Sequence, residues 1–235
     1  VSALTDGLRG RGQSARDAGN RGSTMINRSF FFDHVKSDLF GGKIKQSQVD
    51  GLNFILDCWE KEHADWDDRW LAYALGTTHL ETGAAMQPIH ENGGTKYFES
   101  NYGPTGHNPT RAKKMGNTAV GDGAKYHGRG FVQLTWKVNY KAMTDHLTSE
   151  FGKTVDLVNK PDLALDPANA AEIMFHGMNV GTFTGRKFSN YFTKKASGKP
   201  DKDDWVGARA IINGTDKAPI IAGFGKKYYG ALSYL

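Results

Sequence analysis

Apolar residues recur at helical spacing along several stretches of the chain, and between two of them the pattern collapses. In SQVDGLNFILDCWEKE (47–62), Val49, Leu52, Leu56 and Trp59 lie three or four apart, which predicts one face of a helix. Ser47 is the expected N-cap, with Asp50 completing part of a capping box. DDRWLAYALGTTHLETG (67–83) predicts a second helix carrying Trp70, Tyr73, Ala74 and Leu80, stopped at Gly83. WKVNYKAMTDHLTSEFG (136–152) returns to the same period through Trp136, Tyr140, Met143, Leu147 and Phe151. LDPANAAEIMFHGM offers Asp166 as N-cap and Pro167 at the first helical position, a strong start signal. DDWVGARAIING (203–214) and the glycine-bearing APIIAGFGKKYYGALSYL complete the helical set, the second less securely because glycine weakens helices.

Residues 84–125 have no sustained period and are rich in Gly, Pro, Asn and Thr. A loop of that length inside a domain is usually functional or disordered. Its aromatics and paired glycines predict an ordered loop with room for a short hairpin. Residues 1–24 include LRGRGQSARDAGNRGS, with almost no large apolar side chain, and predict a flexible tail or linker. The domain is expected to span 25–235. There is no internal repeat and no βαβ alternation, so the expected architecture is mainly α, with little or no β and a loop-rich cleft.

The 235 residues suffice for a sizeable core, and 38% hydrophobic with 23% charged residues is a globular balance. No apolar run is long enough to span a membrane. No basic start followed by an apolar core marks a signal peptide. Cys58 is the only cysteine, so no internal disulfide forms; its apolar neighbours predict an inert core thiol, compatible with a reducing cytoplasm. The net charge of +5 favours a polyanionic partner. The basic residues are scattered and form no ladder with aromatics, which argues against nucleic acid.

Glu81 ends the second helix where the chain enters the long loop. A carboxyl there, in partly apolar surroundings, can stay protonated as a general acid; the plain alternative is a solvated helix-end glutamate. Glu91 and Glu99 offer second carboxylates within the loop, and glycosidases need such a pair. His63, His79, His90, His107 and His127 form no H-E-x-x-H and have no cysteine pair, so no metal site is expected. No phosphate loop or nucleophile elbow is present, and no cofactor is called for. In GDGAKYHGRGFVQLTWKVNY (121–140), Gly128 and Gly130 allow close backbone approach, and Phe131, Leu134 and Trp136 can anchor the segment. Gln133 and Thr135 would share one face of an extended strand. With Asn139 they suit the hydroxyls and N-acetyl groups of a sugar polymer; a polar turn feeding a helix is the alternative.

YHGRGFVQLTWKVNY resembles the signature of family 19 glycoside hydrolases. HLETGAAMQPIHENGG resembles the His-Glu-Thr motif of that family's bacterial and phage branch, and ARAIINGTD resembles its Ile-Asn-Gly segment. The three occur in the family's order across roughly residues 30–235. The resemblance implies a two-lobed, lysozyme-like fold with the site between lobes. It implies Glu81 as general acid, Glu91 as general base with Glu99 as rival, and Thr135 as the hydroxyl that helps hold the attacking water. Tyr126, Arg129, Gln133, Asn139 and Asn213 match substrate-binding positions, with Arg129 bracing the loop. Inversion implies carboxylates about 6.5–9.5 Å apart.

The expected protein is therefore an endolysin-type muramidase acting on bacterial peptidoglycan. It is expected to be a monomer without nucleic-acid partner or membrane insertion, made in a bacterial host cytoplasm and acting on the wall after release at lysis, or delivered with a virion. A chitinase, a non-catalytic wall-binding module and a metal-dependent amidase are the alternatives.

Overall fold

A computed structural model describes residues 25–152, 154–193 and 201–235. The expected tail at 1–24 lies outside them. Among the described residues nine α-helices carry the fold: α1 (Arg28–Asp38), α2 (Gln46–Glu62), α3 (Asp68–Glu81), α4 (Thr95–Tyr102), α5 (Pro109–Lys114), α6 (Asp122–Lys125), α7 (Lys137–Phe151), α8 (Pro167–Val180) and α9 (Ala218–Gly230). Among the described residues β-structure is limited to four two-residue strands. β1 (Ile89–His90) pairs antiparallel with β2 (Arg129–Gly130), and β3 (Phe192–Thr193) with β4 (Lys202–Asp203). The architecture is mainly α.

Two apolar cores organise the molecule. The larger gathers Phe31 and Val35 of α1, Leu52, Ile55, Leu56 and Trp59 of α2, the apolar run from Leu71 to Leu75 of α3, Met174 and Phe175 of α8, and Ile221 and Tyr228 of α9. The smaller gathers Tyr126, Leu134, Tyr140, Met143, Leu147, Leu157, Ala164 and Ile173. α8 serves both, because Ile173 and Met174 point to opposite cores. These two cores are the two lobes.

α3 is the central element. Every residue from Leu71 to His79 is buried, so its burial is all round rather than along one stripe. Its start is fixed by the Asp67 side chain, which accepts from the Arg69 N–H. Along its length it packs on α9 at unusually short range. A Cβ on Gly76 would meet Gly225 N at 2.7 Å and Ile221 O at 3.2 Å, and one on Gly225 would meet the Trp205 ring at 2.9 Å. Gly76 thus lets α3 lie against the α9 backbone, and Gly225 seats the Trp205 ring. His79 is buried in the same region, its Nδ1 2.9 Å from the Tyr228 hydroxyl. Burial pushes its pKa down to about 4, with a contribution from the charge of Lys227.

Several local expectations change. α2 starts one residue before Ser47: the Lys45 N–H is capped by the Gln48 side chain at 2.8 Å, so neither Ser47 nor Asp50 caps it. The 84–125 loop contains three short helices, and its hairpin partner lies outside it, since β1 pairs with the Gly-Arg-Gly strand. The 203–214 segment forms only a 3-10 turn at Gly207–Ile211, opened by Asp204 accepting from the Gly207 N–H. Residues 131–133 turn rather than extend, because Arg129 and Leu134 exchange backbone hydrogen bonds of 3.1 and 2.7 Å. Cys58 is half-buried, its thiol 3.6 Å from a Glu172 oxygen, and is not enclosed by apolar side chains alone.

Replacing Gly76 by Ala forces α3 from α9 and should cost about 1–3 kcal/mol. Gly223→Ala, on an exposed face of α9 where a Cβ meets nothing within 4 Å, should instead stabilise by up to about 1 kcal/mol. Urea denaturation of both variants checks the contrast. Because His79 binds a proton near pH 6.5 when unfolded and near 4 when folded, the unfolded state takes up protons first as pH falls. Stability should therefore decline from about pH 6.5 towards 4, and the slope of urea midpoint against pH in that window should flatten in His79→Gln.

Candidate active site

Glu81 reaches the molecular surface because it is the last residue of α3, just beyond the buried run. It lines a cleft of about 440 Å³ between the lobes. Ile212 and Asn213 flank it from the larger lobe, and Thr135, Trp136 and Asn139 face it from the smaller one. Tyr97, Asn101 and Tyr102 of α4, with Asn108 and Arg111 around the start of α5, close the remaining wall. Amides, hydroxyls and aromatic rings dominate this lining.

The surroundings of Glu81 differ from the apolar ones expected. Arg209 Nη1 donates to Glu81 Oε1 at 2.6 Å, and the guanidinium is itself buried, 4% exposed. Arg209 Nε also donates to the Asp216 carbonyl at 2.9 Å. The 3-10 turn thereby delivers a fixed cation to one oxygen of the carboxylate, and restricts Glu81 to a narrow range of rotamers.

Glu91 follows β1 and is held from two sides. Tyr102 Oη donates to Oε1 at 2.7 Å, and the Gly128 N–H donates to Oε2 at 3.1 Å. Burial, reinforced by the bond to Glu91, pushes the Tyr102 phenol upward, which keeps it a proton donor. Glu91 itself does not line the cleft; its partner Tyr102 and its neighbour Gln133 do. Glu99 is placed differently. Its carboxylate accepts from the Ala124 N–H at 2.7 Å and the Gly121 N–H at 3.3 Å, pinning the start of α6, and it does not line the cleft.

The Gly-Arg-Gly segment explains itself at this point. A Cβ on Gly128 would meet Gln133 Oε1 at 2.8 Å and Glu91 Oε2 at 3.1 Å, so the glycine leaves room for both side chains. Gly130 has φ +89°, a conformation glycine adopts freely. Gln133 and Trp136 also take positive φ, +60° and +79°, and both line the cleft. Such backbone is held only where its surroundings over-determine it. Here the Trp136 N–H donates to the Tyr126 carbonyl, and the Gln133 amide donates to the Ile89 and Gly130 carbonyls. Thr135 Oγ1 donates to the Gln133 carbonyl, and Asn139 Nδ2 to the Thr135 carbonyl.

Of the substrate-binding residues expected, Gln133, Asn139 and Asn213 line the cleft and so does Thr135. Tyr126 and Arg129 do not. Tyr126 is 1% exposed within the smaller core, with its hydroxyl on the Val158 carbonyl. Arg129 is buried against Asp162, the Lys125 and His127 carbonyls and the Tyr140 hydroxyl, so it braces the loop and does not reach ligand space. Sequence reasoning missed Arg209 although ARAIING contained it. It also missed the Tyr97–Arg111 wall, whose signal was the density of Tyr and Asn in the aperiodic loop. Buried Asn117 was missed as well; its amide donates to the Tyr102 carbonyl and accepts from the Lys137 N–H, tying α4 to α7.

No protein-family model and no curated protein matches the chain. Among solved structures it is similar to chitinase C from Streptomyces griseus HUT6037, at 22% identity over 71% of this chain and 71% of that one, with a TM-score of 0.45. It is also similar to a bacterial family 19 chitinase, at 24% identity over 68% and 70% of the two chains, with a TM-score of 0.44. A likeness of this extent assigns no activity, and the functional reading rests on the cleft's own residues.

The Glu81–Arg209 pair should act as one unit. Arg209→Leu should cost about 1–3 kcal/mol, since it strips a hydrogen-bonded partner from a carboxylate. A double-mutant cycle with Glu81→Gln, read by urea denaturation, should return a coupling above about 0.5 kcal/mol.

Proposed function

We propose that the chain is a glycoside hydrolase that cleaves β-1,4 bonds between amino sugars of bacterial peptidoglycan, as a muramidase of the endolysin type. The observation that carries this reading is the cleft lining. A helix-end carboxylate faces a row of amides and hydroxyls, Gln133, Thr135, Asn139 and Asn213, with the exposed Tyr97 ring available to pack on a pyranose face. Neutral donors and acceptors of this kind match hydroxyl and N-acetyl groups. The charge of +5 favours an anionic wall over a neutral polymer.

In the proposed reaction Glu81 gives its proton to the glycosidic oxygen as the bond to the anomeric carbon breaks. Glu91 takes a proton from the water that attacks that carbon from the opposite face, giving inversion. Thr135 and Gln133 help hold that water. Arg209 engages one oxygen of Glu81 and fixes the carboxyl towards the cleft, while Tyr102 and Gly128 orient Glu91. Glu91 is preferred to Glu99 as the base because its neighbours Tyr102 and Gln133 line the cleft, whereas Glu99 is bonded to backbone amides of α6 and its cap. Peptidoglycan at the cell wall is the proposed place of action, with the protein working as a monomer.

Removing a general acid or base costs about 10²–10⁴-fold in rate. Glu81→Gln and Glu91→Gln should each lose activity on purified peptidoglycan on that scale, while Glu99→Gln should lower stability more than turnover. Mass spectrometry of the soluble fragments reads the outcome. New reducing amino-sugar ends from wild type alone support the proposal, and a reducing muramic acid end identifies the bond. Anhydro ends would remove Glu91 from its role, and cleavage of chitin with peptidoglycan untouched would overturn the substrate.

A further inference from the structure

A second cluster of titratable side chains lies where α2, α7 and α8 meet. Glu172 of α8 is buried, with its side chain 5% exposed. His146 Nε2 of α7 lies 2.9 Å from Oε1, and His63 Nε2, just past α2, lies 3.0 Å from Oε2. His176, one helical turn after Glu172, stacks on His146 with ring centroids 3.3 Å apart and planes 15° from parallel. Cys58 Sγ approaches Oε2 at 3.6 Å. The network is not closed, since His63 Nδ1 is buried with no hydrogen-bond partner. Together with Glu62 and Glu150, the three histidines and Glu172 line a cavity of about 330 Å³, which shares no residue with the cleft.

We propose that His146, Glu172 and His176 form a binding site for one divalent transition-metal ion of the zinc class. A carboxylate with two imidazoles, open to a cavity that supplies a fourth position, is a donor set zinc accepts. The candidate ligand atoms all lie within 4.8 Å of one another. Zinc bonds of about 2.0–2.1 Å need tetrahedral edges of roughly 3.3 Å, so the group must close by on the order of 1 Å. His176 can supply that movement, because it is only half-buried and sits at i+4 from Glu172 on one helix face. His63 holds the other carboxylate oxygen and fixes its direction, as outer partners of ligands do. Burial alone would push Glu172 up, yet the bonds and charge of His146 and His63 take it down to about 2. Burial, aided by the charge of His146, takes His176 down to about 4. Such an ion would clamp α7 to α8, across the wall between the lobes.

The test strips the full chain with chelator and titrates it with Zn²⁺ alone, following heat of binding and thermal melting. One equivalent should bind and raise the melting temperature. His146→Ala and His176→Ala replace half-buried side chains, and their far-ultraviolet circular dichroism should match wild type while affinity falls at least about tenfold. Cys58→Ala and Glu81→Gln should bind as wild type does, which separates this site from the cleft and from the fate of the glycosidase reading. Absence of saturable binding by wild type overturns the proposal. So does binding that survives both histidine variants, or binding abolished by Cys58→Ala, which would move the ion to the Cys58–His63–Glu172 group.

Discussion

The approach of α3 to α9 through Gly76 and Gly225 is the constraint on which the rest depends. α3 is buried on every side, so its position is set by packing and not by solvent, and its last residue emerges at the cleft as Glu81. Move the helix axis and the carboxylate moves with it. Trp205, wedged against Gly225, connects the same contact to the 3-10 turn that carries Arg209. The Glu81 carboxylate and the cation that holds it at 2.6 Å are therefore referenced to one glycine contact.

The opposite wall is built on another principle. Its helices are short, of four to eight residues, and too small to bury much apolar surface alone. Polar side chains fasten them instead: Glu99 to the amides of α6, Asn117 between α4 and α7, Asp122 to the Thr118 and Ala119 amides, and Arg129 to four partners. Glu91 and Gln133 meet over Gly128, at the junction of this polar lattice with the β1–β2 ladder. One wall of the cleft is positioned by close packing and the other by hydrogen bonds.

The parts legible in the sequence were those governed by local signals. The start of α8 followed from Asp166 and Pro167, and the long helices from apolar period. Glu81, Gln133, Thr135, Asn139 and Asn213 could be nominated because their neighbours formed a recognisable motif. What stayed hidden depended on distance along the chain. The Arg209–Glu81 pair spans 128 residues, and the cluster around Glu172 draws on three helices. Tyr126 misled because residues beside a glycine-rich motif can face either the ligand or the core, and Arg129 kept its expected bracing role without reaching ligand space. Gln133 was assigned to an extended face because its positive φ is imposed by the Arg129–Leu134 bridge.

Residues 25 and 235 are joined at the edge of the larger lobe. The Leu235 N–H donates to the Met25 carbonyl at 3.0 Å, the Asn27 N–H donates to the Ser233 carbonyl at 2.7 Å, and Ile26 bridges Tyr234. Tension drawn through those two points would load this short antiparallel seam first and would reach the cleft only after the seam had parted. A body anchored through either of them would swing about nearly the same pivot, so the direction in which the cleft meets a large polymer would be the same from both anchorages.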